Sequence, residues 1–487
     1  MAGAKRVALV AATAVILCTF LVLDTGGIVH PLNWVGNQAN AVDQPGTKQV
    51  HHGESHTTQE TSKPRILYYN VHPGTQGDFP VLCLNALTHG LQQANFKVIL
   101  TRLDLAFSSY NPYNFGYGMN ASYARQLIAE GKAREFCDSA DIIVVSDTCP
   151  HARFLLETFL DPDPANHCSA KIALELTNRF DWGYEEFSPH EHVSYRAFMW
   201  RIVAEHADKV FWVANNPLEP RQVADMAIAT PLFRLLRPIG YSEVPALEVD
   251  AAQANLPMVR TKKDSPILKH LDTLGVKYLH VVQGVHSPYG GPKTAAKYRA
   301  FVEFPYQAST MKLYENIAAG VTVLVPSPKF YFELIKAGYF SILDMRTSLL
   351  YQGQDWPKYH DYYSDDMKPY IYYFDSFEHL KDMLDDEVDI RNVRTNGPAA
   401  FSKIAQEIIC GWADLFIDMG FPDMTLDGKP YEYGQGPTRY RETLREGVPQ
   451  VNHISEWEAS YQKSMTFINA THKAEWNAIQ EMTLPKK

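Results

Sequence analysis

Lys312 stands where a helix disfavours a cation. It belongs to Phe304-Pro-Tyr-Gln-Ala-Ser-Thr-Met-Lys-Leu-Tyr-Glu-Asn-Ile-Ala-Ala-Gly-Val-Thr-Val-Leu-Val-Pro-Ser327, a segment that reads as strand end, helix and strand. Ser309 or Thr310 can cap a helix over 310–319. Gly320 stands where a left-handed stop is expected. Lys312 then falls in the first turn, where the helix dipole costs a cation roughly 0.3–1 kcal/mol. A bound phosphate reverses that sign, because free backbone N–H groups and the ammonium both point at it. Glu315 lies three residues on, along the same face, and its carboxylate suits ribose hydroxyls. The plainer alternative is an amphipathic helix with a Lys312–Glu315 surface pair.

Three further groups carry possible chemistry. The loop Gly284-Val-His-Ser-Pro-Tyr-Gly-Gly-Pro-Lys293 has small residues that let a backbone approach a diphosphate, and Lys293 to neutralise it. His72 follows the first apolar strand, with Asp78 six residues on. An imidazole neutral near pH 7 suits proton removal from a hydroxyl, and Asp78 would orient it or serve as the base. Asp161-Pro-Asp163 imitates a metal-binding D-x-D, but it follows a helix in a Pro-rich loop and reads as a turn. No G-x-x-x-x-G-K-[ST], H-E-x-x-H or G-x-S-x-G occurs, so kinase P-loop, zincin and α/β-hydrolase chemistry lose support.

The elements that would position these residues are strands alternating with helices. Apolar strands are expected at 65–70, 97–101, 140–146, 171–177 and 209–214, and, after a break, at 276–282, 301–304 and 321–325. Helices are expected near 80–94, 121–132, 151–160, 192–207, 219–229, 310–319, 330–337 and 376–385, with a long last one at 398–417. Continuous apolar strands between helices signify parallel sheets covered on both faces. The fold class is therefore α/β, with two Rossmann-like, doubly wound domains facing a cleft. The domains are drawn at 65–240 and 276–400, joined by a Pro- and charge-bearing linker at 241–275. A closing helix and tail occupy 401–487.

The chain has 487 residues and a formal charge of −10, with 46% hydrophobic and 21% charged residues. That is globular usage, and the acidic balance excludes a general nucleic-acid binder. A mean hydropathy of −0.25 excludes a multi-span membrane protein. Lys5-Arg6 precedes an uncharged apolar run, Val7 to Leu23, which reads as a single uncleaved signal anchor with the tail 1–6 in the cytosol. Residues 24–64 read as a polar stem. A short span fits a thin ER or Golgi bilayer, which places the rest in the lumen as a type II protein. Two sequons, at Asn120 and Asn469, agree with that placement. With Cys18 in the span, the five remaining cysteines allow at most two intrachain bridges.

The segment 301–327 resembles the donor-binding half of GT-B glycosyltransferases. In many of those, a Glu at the start of this helix, before Gly-Val-x-Val-x-x-Pro, holds the nucleotide ribose, and Glu315 occupies that position. Retaining members carry another Glu eight positions earlier, where this chain has Gln307. The likeness extends loosely from Arg65 to Leu415, through Pro238-Ile-Gly240, the Gly-rich loop and a closing helix with Trp412. It implies transfer of a sugar from a nucleotide-sugar donor to a glycan or glycoprotein acceptor. Lys293, Gln307, Ser309, Thr310, Lys312 and Glu315 would lie on the donor, and His72 with Asp78 would act as base. No obligatory cofactor or metal is implied, since helix dipole and lysines supply the positive charge. The alternative from another class is a catalytically inactive protein of this fold that binds glycans or scaffolds a complex. A hydrolase needs two close carboxylates, and no such pair stands out.

Overall fold

The computed structural model describes residues 64–69, 97–101, 119–147, 149–177, 180, 189–225, 230–242, 244–282, 289–339, 353–386, 392–422, 424–426 and 429–443. The expected anchor 7–23, the stem up to residue 63, His72, Asp78, the helix 80–94, residues 284–288 of the Gly-rich loop and Asn469 lie outside them. No helix of the described residues is long and apolar enough to cross a membrane.

Two parallel sheets form the frame. The first contains β1 (Arg65–Tyr69), β2 (Lys97–Thr101), β3 (Ile142–Asp147), β4 (Lys171–Leu176), β5 (Val210–Ala214) and β6 (Phe233–Leu235), in the order β2-β1-β3-β4-β5-β6. The second contains β7 (Met258–Thr261), β8 (Leu279–Val282), β9 (Phe301–Glu303), β10 (Val323–Pro326) and β11 (Ile371–Phe374), in the order β11-β10-β9-β7-β8. Every pairing within these two sheets is parallel. The strand order reverses between β1 and β3 in the first sheet and between β7 and β9 in the second. In open α/β sheets a crevice for ligands lies at such a point, outside the carboxyl ends of the strands.

The period-2 alternation of each strand feeds two separate cores. Leu67, Ile143, Leu174 and Trp212 face one side of the first sheet, under α1 (Ala121–Ala129), α2 (Lys132–Ser139) and α3 (Pro189–Glu205). Their neighbours Ile66, Ile142, Ala173 and Val213 face the other. The helix α4 (Leu218–Asp225) leads into β6. In the second sheet Val259, Val302 and Leu324 pack with Ile267 and Leu271 of α5 (Pro266–Thr273). Met258, Phe301 and Val323 pack on the opposite face with Leu313 and Ile317 of α6 (Met311–Ala318). The helices α7 (Pro328–Lys336) and α8 (Phe377–Asp385) add Leu334, Leu380 and Leu384 to the face shared with α5. The closing helix α9 (Asn392–Asp418) serves both halves: Phe401 packs against the second sheet, while Ile408, Trp412 and Phe416 cover the first.

Several expectations are corrected. The stretch 241–275 is not a plain linker, because it holds β7, which pairs with both β8 and β9, and α5. A four-residue strand containing Arg260 and followed by Lys262-Lys263 lacks an apolar run long enough to show. The helix expected at 121–132 is two helices, broken where Gly131 takes φ 77°. The one expected at 151–160 is a chain of short turns. β6 and β11 give no strand signal in the sequence, the first for its length and the second for its tyrosines. Asn120 is 2% exposed, and its side chain accepts from the Tyr123 N–H at 2.7 Å as the α1 cap. A glycan would attach at Nδ2 of this same buried side chain, which the fold leaves almost no room to reach. Among the described residues a disulfide, Cys137–Cys168, joins the end of α2 to the approach to β4, and Cys149 and Cys410 are buried.

Candidate active site at the strand-order reversal

Arg260 on β7 and Glu303 on β9 are partners in register, one on each strand of the reversal. Arg260 Nη1 donates to Glu303 Oε1 at 3.1 Å. Lys312, in the first turn of α6, donates from Nζ to the same oxygen. Glu303 is 0% exposed, and its Oε2 has no hydrogen-bond partner among the described residues. The lysine is thus neither a surface cation nor paired chiefly with Glu315. Its Nζ also lies 5.1 Å from the centre of the Phe301 ring. Burial lowers its pKa to about 7, and Arg260 pushes the same way while Glu303 opposes. Arg260 in turn stacks over Tyr306, 5.0 Å from the ring centre.

Thr310 is the N-cap of α6 by backbone geometry, but its hydroxyl makes no cap bond. Instead Oγ1 pairs with the Tyr362 hydroxyl at 2.7 Å. Ser309 Oγ lies 3.1 Å from the Tyr314 hydroxyl, which donates to Asp361. Both expected donor-binding hydroxyls therefore hold the site's frame, and the first turn of α6 is left without a side-chain cap. Gln307 is partly exposed between them and β9, and Glu315 is partly exposed one turn along α6. Tyr289, at the end of the Gly-rich loop, donates to Asn316 Oδ1, and burial, then the Glu315 charge, raise its pKa. Lys293 is exposed on the short helical turn Pro292–Ala295.

The carboxyl ends of the two sheets converge here. Arg237, two residues past β6, donates from Nε to buried Asp361 at 3.1 Å and from Nη1 to Asp366 at 2.9 Å. The Asp361 N–H bonds to Ala308 O, just past β9. Met311, the first residue of α6, packs against the core on the α9 side of the first sheet. On that sheet Glu175, near the carboxyl end of β4, is 3% exposed and accepts from the Tyr68 hydroxyl at 3.2 Å. Burial raises its pKa to about 7.

The glycines of the loop answer to chain packing as well. A Cβ on Gly291, at φ 77°, would lie 2.8 Å from Val244, and one on Gly290 would lie 2.7 Å from Leu247. The segment 244–247 is strapped across the loop's end: Leu247 N–H donates to Thr294 Oγ1, and Lys297 Nζ to Leu247 O.

The sequence had marked Lys312, Glu315, Ser309, Thr310, Gln307 and Lys293, and the structure gathers them around the start of α6 and the turn beside it. It had not marked Arg260, Glu303, Arg237 or Asp361. The available signal was a charged residue inside an apolar strand, as in Phe301-Val-Glu-Phe304. The Asp161-Pro-Asp163 turn belongs elsewhere, since Asp163 caps a short 3-10 turn and Asp161 accepts the Asp163 N–H. No group of three or more His, Cys, Asp or Glu among the described residues could hold a metal ion.

No protein-family model matches the chain, and no curated protein matches it. Among solved structures it is similar to a glycotransferase of kitacinnamycin, with 11% identity over 73% of this chain and 98% of that one, at a TM-score of 0.40. It is also similar to a putative UDP-N-acetylglucosamine 2-epimerase from Listeria monocytogenes, with 11% identity over 73% and 97%, at 0.41. A third is the glycosyltransferase SnogD from Streptomyces nogalater, with 12% identity over 72% and 100%, at 0.36. Likeness at this level supports no inference about activity.

Proposed function

We propose that the chain is a glycosyltransferase of GT-B type, moving a sugar from a nucleotide-sugar donor to a glycan or glycoprotein hydroxyl. The observation that carries this is the position of the Arg260–Glu303–Lys312 cluster. It sits at the strand-order reversal of the second sheet, beneath an uncapped helix start, with Glu315 one turn away. Backbone N–H groups and two cations there favour a diphosphate. The same charges stabilise it as a leaving group without a metal. Glu315 would hold the ribose. His72, three positions beyond the end of β1 in the sequence, would take the proton of the acceptor hydroxyl, with Asp78 orienting it. We place the protein in the ER or Golgi lumen, anchored by residues 7–23. The Cys137–Cys168 disulfide supports an oxidising compartment.

The test is a panel of nucleotide sugars read by thermal shift and by donor turnover. A donor at 100 times its Kd stabilises the fold by about 2.7 kcal/mol. Glu315→Ala should then weaken donor binding by about 1.5–3 kcal/mol with the fold intact. His72→Ala should lower kcat by about 100-fold or more, with donor affinity kept. Binding without turnover of any donor would favour the inactive glycan-binding alternative, and absence of binding across the panel would sink the proposal.

A further inference from the structure

Two cations converge on one carboxylate oxygen in this cluster, and their charges do not balance. Arg260 keeps its charge at any ordinary pH, so it alone neutralises Glu303. A protonated Lys312 adds a second positive charge in a nearly enclosed place, with 15% of its side chain exposed. The other groups around it do little to offset this. Glu315, the remaining carboxylate that acts on Lys312, has the weakest effect on it. Tyr289 and Tyr362 are held neutral, because burial raises their pKa well above the usual phenol value. Tyr306 is taken up by Arg260, and Phe301 offers only its ring face. Desolvation disfavours the charged form of such a lysine until a second anion arrives.

We infer that anion binding at this strand-order reversal is coupled to uptake of one proton by Lys312, which leaves Glu303 to Arg260 and turns its ammonium to the incoming phosphate. The proton comes from solvent, and no covalent bond other than N–H forms. This rests on the reading of the site as one for a nucleoside diphosphate. The depressed lysine pKa, about 7 without ligand, agrees with the geometry. Below that pH the lysine already carries its proton and binding takes up none. Above it, affinity falls with rising pH, approaching about tenfold per unit, until the pKa of the bound state is reached.

The experiment is calorimetric titration of the full chain with UDP at pH 8.5, in buffers of different ionisation enthalpy, and of UDP affinity between pH 7.5 and 9.5. Wild type should take up close to one proton per UDP. Lys312→Arg, whose charge is permanent, should bind without uptake and with a flat profile. Lys312→Met should bind weakly and also flat. UDP binding by wild type without proton uptake overturns the inference and leaves the donor site standing. So does a Lys312→Arg profile as steep as wild type. Inorganic pyrophosphate separates the two ideas: if it binds with uptake and UDP binds no better, the proton coupling holds and the nucleotide reading fails. If neither binds at pH 6.5, both fail. A carbon-13 lysine side-chain NMR titration of the ligand-free protein, assigned by the peak missing in Lys312→Arg, should show Lys312 titrating near neutrality. Titration at the ordinary lysine value overturns the inference whether or not UDP binds.

Discussion

A carboxylate in an apolar strand is costly unless a partner is built for it, and β4 carries one in Glu175 and β9 another in Glu303. Glu303 receives two cations, Arg260 and Lys312. Glu175 accepts from the neutral Tyr68 hydroxyl, and burial raises its pKa from 4.5 to about 7. The folded chain therefore holds a proton there that the unfolded chain has released. Stability is lost as pH rises through the window from 4.5 to about 7, by about 3 kcal/mol at most. Glu175→Gln keeps the shape and removes the titration. Its urea midpoint should sit close to wild type at pH 5 and clearly above it at pH 8. An equal offset at both pH values would mean that Glu175 does not titrate in this window.

At the scale of elements, the two halves are joined by segments with no slack. Leu236 belongs to the core on the first sheet, yet Arg237 beside it bonds Asp361 in the second half. Gly240 then presses against α6. At φ 65°, a Cβ there would lie 2.6 Å from Tyr314 O and 2.8 Å from the Ala318 Cβ. Backbone cannot yield as a flexible side chain can. Gly131 is the natural comparison, because it has a similar φ of 77° but open space around it. Gly131→Ala should cost about 1 kcal/mol from backbone strain alone. Gly240→Ala should cost several kcal/mol, since strain and overpacking add. Denaturant titration of both variants settles it, and equal losses would mean that the junction relaxes away from α6. The same argument bears on Gly291: as that glycine is required by Val244, its presence is not by itself a sign of a phosphate.

For the whole molecule, the disulfide and the crossing helix set how the chain is tied. Cys137–Cys168 closes a loop with a sequence separation of 31 and should stabilise the folded chain by about 3–4 kcal/mol. Reduction, or Cys137→Ser with Cys168→Ser, should lower the Tm, with the drop absent when reductant is added to the double variant. A fall on reduction that persists in the variant would point to Cys83 or another thiol instead. The periodicity of apolar runs was enough to determine the α/β class, the two cores and the helix after β9, because a parallel strand buried on both faces has to be almost wholly apolar. Lys312 and Glu315 were legible for a related reason: a cation in a first turn is locally unfavourable, so its presence asks for an explanation. What lay nearby along the chain could be read, and what had to be brought from a distance could not. The pairing of Arg260 with Glu303 depends on β7 and β9 becoming neighbours across 43 positions, and no local pattern encodes that register. Nor does the local sequence say that Ser309 and Thr310 spend their hydroxyls on tyrosines 314 and 362, or that Lys312 rests on Glu303. Those choices follow from which strands lie side by side and how little water is left between them, and only the tertiary structure decides either.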